Sequence, residues 1–380
     1  MHKACAAFWQ LPRAYKWTRV IVMLAIVWLT TTPAIAAYVT RPSLPPSTRL
    51  RAPPLTMGAP LECEQQLDRR LLRACALGWV AVAAPVLYQP DVVTLDVFGL
   101  DVSGGYGVEQ PAAGFLQLTG TEWALEAGLL LLLSSEVLQP QQATRVGTSI
   151  VFAAAGLFGA YAAAAATGLS VVEPTAVAAT LGLSAASAAT ALRPLLREQS
   201  ARELASSCSA DLRALVLGEP DEDDAPASAT FYRLSALASV VVGGAFLLSP
   251  VSPLAVYEAE LPVTYLCRAA FGVYLAFLFS PVQFALGRYA ADGELSDGAA
   301  RRLNLLTAAG IVLLDSVGNQ QVRAQEVLTA GTSLPDTFRF EANTTAAFYT
   351  ALLVAVFYAA QGLRSGGDAP AEVGRRGTKQ

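Results

Sequence analysis

"LLRACALGWVAVAAPVLYQP", Leu71–Pro90, opens with one arginine, closes on one proline and carries no charge between them. Its apolar part approaches the roughly 20 residues that a helix needs to cross the hydrocarbon core of a bilayer. A second stretch, "FYRLSALASVVVGGAFLLSP", Phe231–Pro250, follows the same plan. Arg73 aligns with Arg233, Ala76 with Ala236, Val80 with Val240, Leu87 with Leu247 and Pro90 with Pro250, all at an offset of 160. Apolar matches between two such helices are cheap, so the terminal Arg and Pro carry the comparison. They predict a duplicated membrane protein.

Working outward, eight apolar segments follow the first sixty residues: Leu71–Tyr88, Phe115–Leu133, Thr148–Ala166, Pro174–Leu192, Leu234–Leu254, Val263–Leu286, Leu303–Gln320 and Thr345–Leu363. In lipid the backbone must satisfy its own polar groups, and these runs lack the alternation of barrel strands, so they read as helices. The whole chain is 54% hydrophobic and 15% charged. Soluble domains carry about 25% charged residues, which places this chain outside their class. Eight spans put sixteen cations on the side of the termini and two, Arg323 and Arg339, on the other, with Arg268 inside a span. That is the positive-inside pattern. The expected fold is an all-α polytopic bundle of eight transmembrane helices, arranged as two parallel four-helix repeats over 58–193 and 231–364.

Between the repeats, residues 194–230 combine helically spaced leucines (Leu195, Leu204, Leu212, Leu215) with the acidic "EPDEDD", read as a surface amphipathic segment and a linker. Residues 365–380 read as a disordered polar tail. The loop from Gln89 to Gly120 mixes β-branched residues with glycine, which suits either a short strand pair or a segment draped over the bundle.

The N-terminus has a different character. Lys3, Arg13, Lys16 and Arg19 precede the apolar run Val20–Leu29, and Ala34-Ile35-Ala36 has the small-x-small form of a cleavage site. Tyr38–Met57 then holds Arg41, Arg49 and Arg51 among Ser, Thr and Pro, and no acid occurs before Glu62. A signal peptide over 1–36 followed by a transit-like segment over 37–57 resembles the bipartite presequence of nuclear-encoded proteins in algae with complex plastids. The resemblance implies an integral plastid membrane protein, of thylakoid or inner envelope, with both termini stromal. The alternative is a secretory-pathway membrane.

Removing residues 1–57 takes seven of the 26 cations and none of the 30 acids, leaving a net charge of −11. Such a chain is not a nucleic-acid binder, because phosphate contact needs clustered positive charge. It also loses His2, the only histidine, and with it histidine acid–base chemistry and histidine metal ligation. Cysteines 63, 75, 208 and 267 are scattered, and no phosphate loop, dinucleotide fingerprint or nucleophile elbow occurs.

Ionisable groups inside spans are costly and each needs an account. Arg268 and Asp315 lie at matching depths in the sixth and seventh spans, where they would form a substrate or ion site, or a buried pair locking two helices. Arg268 could instead snorkel to the interface. Asn319 continues the polar end "DSVGNQQ" and would line a cavity or emerge into water. Glu122 and Glu126 stand one turn apart on one helix face. They read as a proton relay, a cation ligand (chlorophyll magnesium included) or hydrogen-bonding partners of a neighbouring helix. Trp79, Phe98, Tyr257, Tyr265 and Tyr289 read as interfacial anchors. Small residues such as Gly156 and Ala160 predict close helix packing.

Two functions fit these residues. The first is a non-enzymatic structural, assembly or accessory role in contact with membrane lipids and a pigment–protein or other membrane complex. The alternative is a small-molecule or ion transporter built from the two repeats. No cofactor is specified.

Overall fold

The structure, a computed structural model, describes residues 59–101, 110–217, 226–248, 261–329 and 337–363. The expected signal and transit segments, Tyr257, the acidic linker and the polar tail lie outside these residues. What is described is all-α. In chain order the helices are α1 (Ala59–Tyr88), α2 (Pro90–Phe98), α3 (Gln110–Ser134), α4 (Pro140–Ala166), α5 (Pro174–Glu198), α6 (Ala201–Leu217) and α7 (Ala227–Leu248). There follow α8 (Pro262–Tyr274), a π-helical turn (Leu275–Phe279), α9 (Ser280–Ala291), α10 (Gly298–Thr329) and α11 (Thr337–Leu363).

Five of these segments are long and apolar enough to cross a membrane: Glu64–Tyr88, Pro140–Ala166, Pro174–Arg197, Ala227–Leu247 and Pro262–Ala291. Three other expected spans are helical but differ in character. Helix α3 carries Glu122 and Glu126, α10 extends well beyond Leu303–Gln320 at both ends, and α11 keeps a shorter apolar stretch, Tyr349–Leu363.

Helix α3 is the centre of the bundle. It packs on α1, α8 and α10, and more lightly on α2, α4 and α5. Around it α4 pairs with α5, α7 with α8 and α9, and α10 with α11, while α8 also lies on α4. Small residues set the crossings. A Cβ on Gly243 of α7 would stand 2.6 Å from the Gly272 carbonyl of α8, and one on Gly272 would stand 2.6 Å from the Gly243 carbonyl. Only glycine allows two backbones so close. Gly156 of α4 is met by Val273 of α8, and Gly310 of α10 by Leu125 of α3, so Gly156 does serve close packing as expected.

The first part of the loop after Gln89, Pro90–Phe98, is helical and is not part of a strand pair. Pro90 supplies a first-turn residue that needs no hydrogen-bond donor, and Gly99 closes α2 in the left-handed region at φ +70. The β-branched Val93, Thr94 and Val97 are its buried side. The Val97 carbonyl then accepts from the amides of Val172 and Glu173, which pins α2 to the start of α5. Three aromatic anchors are also corrected. Trp79 and Tyr289 are fully buried and Phe98 nearly so. They face helices, not an interface.

The opposite end of the bundle is where arginines find carboxylates. Asp68 of α1 receives Arg197 at 2.8 Å and Arg193 at 3.2 Å from α5. Arg145 of α4 holds Asp211 of α6 with two hydrogen bonds, at 2.8 and 3.0 Å. Arg69 pairs with Glu136. Helix α5 runs past Leu192 to Glu198, farther than the sequence indicated, and this overrun lets Arg197 reach α1. Bidentate and partly buried pairs of this kind hold position better than exposed single contacts.

Helix α6 begins on a capping box. The Ser200 amide and hydroxyl both donate to the Glu203 carboxylate, at 2.7 and 2.8 Å, and the Glu203 amide donates back to the Ser200 hydroxyl at 3.3 Å. These bonds hold the Glu203 carboxyl below its ordinary range. A depressed value in the fold means stabilisation that is present above the ordinary glutamate range and is lost as pH falls through the depressed value. Protection factors across 201–204, taken against the intrinsic exchange rate at each pH, are therefore expected to fall on acidification in the wild type and to be low throughout in Glu203→Ala. Equal protection in both proteins would refute the cap.

Candidate functional site

Glu122 lies 12 residues from each end of α3, so each end is about 18 Å away at 1.5 Å per residue. Glu126 follows one turn later on the same face. Both side chains are 1% exposed. Because α3 starts at Gln110, ahead of Phe115, Glu122 is the central one.

Three neighbours complete the surroundings. From α8, the Tyr274 hydroxyl faces both carboxyls. From α1, Trp79 stands beside Glu126, donates its indole N–H to the Ser187 hydroxyl of α5 at 2.9 Å and packs on Trp123 with ring centroids 5.5 Å apart. The Cys75 thiol, one turn before Trp79, lies against Ser187 and Thr190 of α5 and near Glu126. Four helices thus converge on two carboxyl groups.

The polar groups there do not satisfy one another. Glu122 Oε1 and Oε2, Glu126 Oε2, Trp123 Nε1, Ser184 Oγ and the Tyr274 hydroxyl are all buried without a hydrogen-bond partner. Buried polar atoms are normally paired, and each exception calls for a reason. No cation among the described residues faces either carboxyl.

The other candidates do not join this cluster. Arg268 of α8 is fully buried and does not snorkel outward: it donates to the Phe246 carbonyl of α7 and lies over the Tyr265 ring at 5.5 Å. Asp315 of α10 is only partly buried and is not paired with Arg268. The sixth and seventh spans do touch, through α9 and α10, but Arg268 lies in α8, which packs on α3, α4 and α7 instead. The side chain of Asn319 lies outside the described residues. Among the described residues no three metal-binding side chains gather, so the carboxyl pair stands as a site of two.

Sequence reading missed Trp79, Cys75 and Tyr274. For α1 a signal existed: Leu72, Cys75, Ala76, Trp79, Ala83 and Val86 recur at helical spacing and are its buried face. For α8 there was none, since it is buried on nearly every side.

The π-helical turn begins at the residue after Tyr274 and ends just ahead of Ser280-Pro281. Pro281 brings no N–H to the helix ladder, and a widened turn is one way to absorb that loss. The widened turn thus lies within one continuous helical segment, Pro262–Ala291, beginning next to Tyr274.

Unpartnered carboxyls destabilise a fold, and a shape-matched apolar group in their place does not. Glu122→Leu is expected to raise thermal stability in detergent by about 1–3 kcal/mol. A fall of the same size would show that Glu122 has a stabilising partner. No protein-family model matches this chain, and neither any curated protein nor any solved structure shows significant similarity to it.

Proposed function

We propose that this chain is an integral membrane protein of eight spans in two related halves, and that it is a carrier whose Glu122–Glu126 pair takes up and releases protons in step with a small solute. One observation carries the proposal: two carboxyls buried halfway along the central helix with no cation facing them among the described residues, three of their four oxygens without a hydrogen-bond partner. An ionised, unpaired carboxylate in such surroundings would cost tens of kcal/mol by ion-transfer arguments, so the pair is neutralised. In a bilayer, charge-bearing residues at this depth are the usual elements of proton relays. A structural or accessory role beside another complex gives no reason to keep two acids buried here with no cation facing them.

The packing pattern supports a duplication. The contact of α1 with α3 is matched by that of α7 with α8–α9, and α4–α5 by α10–α11. Between halves, α3 on α10 is matched by α8 on α4, while α3 and α8 meet at the centre. The glycine contacts reciprocate, Gly156 with Val273 and Gly310 with Leu125. Parallel halves of this kind place a solute site at their junction. The ion pairs described above gather at the arginine-rich end, which supports an orientation with that end and both termini facing the stroma of a plastid. The compartment rests on the composition of residues 1–57.

Proton exchange tests the reading. In unbuffered detergent solution, wild type is expected to exchange up to two more protons per chain, reversibly, than the folded double variant Glu122→Gln/Glu126→Gln. Carboxyls that merely fill space exchange nothing until the helices unfold. Superimposable titrations at unchanged helix content would refute the proposal.

A further inference from the structure

Toward the α2 end of the bundle lies a cavity of about 100 Å³. Val86 of α1, Val97 and Phe98 of α2, Trp123 of α3, Tyr161 of α4 and Ala270 of α8 are among its walls. Helix α2 closes over it, held by the hydrogen bonds from Val172 and Glu173. The walls are almost wholly hydrocarbon. The Thr119 hydroxyl, which also lines the space, already donates to the Phe115 carbonyl at 2.9 Å.

A second, more open hollow lies between α10 and α11, lined by Ala308, Val312, Leu352 and Val356, but Trp123 is not among its walls; at Gly128 and Gly156 the helices are tight, and added methyl groups would strike Leu306 and Val273. A water molecule needs two to four polar partners, which these walls do not offer, whereas a hydrocarbon-lined cavity of comparable size takes up a single aromatic ring. The wall is also shared with the carboxyl site. Trp123 is the next residue after Glu122, and its ring packs on Trp79, which stands beside Glu126.

We infer that this cavity is the solute site and that it takes a neutral hydrocarbon group, an aromatic ring or a short branched chain, presented by a free apolar solute or by the tail of a lipid. The inference rests on the carrier reading and supplies its substrate class. Occupancy presses on Trp123, and through it on the two carboxyls.

Intrinsic fluorescence offers a direct readout. The chain has five tryptophans; Trp123 lines the cavity and Trp79 packs on it, while Trp9, Trp17 and Trp28 lie outside the described residues. In the full chain carrying Trp9→Phe, Trp17→Phe and Trp28→Phe, purified in detergent, toluene serves as the probe. A saturable change in emission and a rise in the unfolding midpoint of about 3 °C are expected. Ala270→Leu and Ala176→Leu each fill the space from a different helix, and either should weaken the toluene response at least tenfold. No saturable response in the parent, or an undiminished one in both filled variants, would overturn the inference. Mass spectrometry of an organic extract separates the two sources. One lipid per chain, released by toluene, assigns a tail, and its absence with intact toluene binding assigns a free solute. Toluene binding that persists in Glu122→Gln/Glu126→Gln, while proton exchange matches wild type, would leave the cavity assigned and the carrier reading refuted. Proton exchange without toluene binding would do the reverse.

Discussion

Two carboxyl groups sit at the buried centre of the bundle. Glu122 and Glu126 are 1% exposed, in the middle of the helix that contacts most of the others, with no cation facing them. Every other feature of the bundle can be read as making that placement possible. The tryptophans wall the pair off, Tyr274 faces it without bonding to it, and the π-helical turn after Tyr274 breaks the regularity of the helix opposite. A site this unfavourable has to be held by a scaffold stable for other reasons.

Those reasons lie in two places. Inside, glycines let backbones touch, most closely where Gly243 crosses Gly272. At one end, Asp68, Asp211 and Glu136 collect arginines from neighbouring helices. Among the described residues the ion pairs thus gather where helices end, while the two acids at the core face no cation. The contrast explains why Arg268, although inside a helix, belongs with the scaffold: its guanidinium serves the Phe246 carbonyl and the Tyr265 ring.

Much of the architecture was legible in the sequence. Apolar length gave helices, and the arginine bias separated one end of the bundle from the other. The carboxyl pair was visible too, because two acids one turn apart in an apolar segment are conspicuous. Their surroundings were not. Partner choice among helices is set by three-dimensional packing: Arg268 and Asp315 matched in depth, yet Arg268 lies in α8, which packs on α3, α4 and α7. The segment of the short helix α2 reads equally as a strand pair or a draped loop because of its valines and threonine, whereas the flanking Pro90 and Gly99 carry the helical signal. Trp79 was assigned to an interface by residue type alone. Helical periodicity on α1 would have placed it in the core.

Infrared spectroscopy of the folded protein tests the state of the two carboxyls most directly. The account predicts a carbonyl band of protonated carboxylic acid at neutral pH, sensitive to deuterium exchange and lost in Glu122→Gln/Glu126→Gln. A wild-type spectrum showing only ionised carboxylate, unchanged by the double substitution, would contradict it.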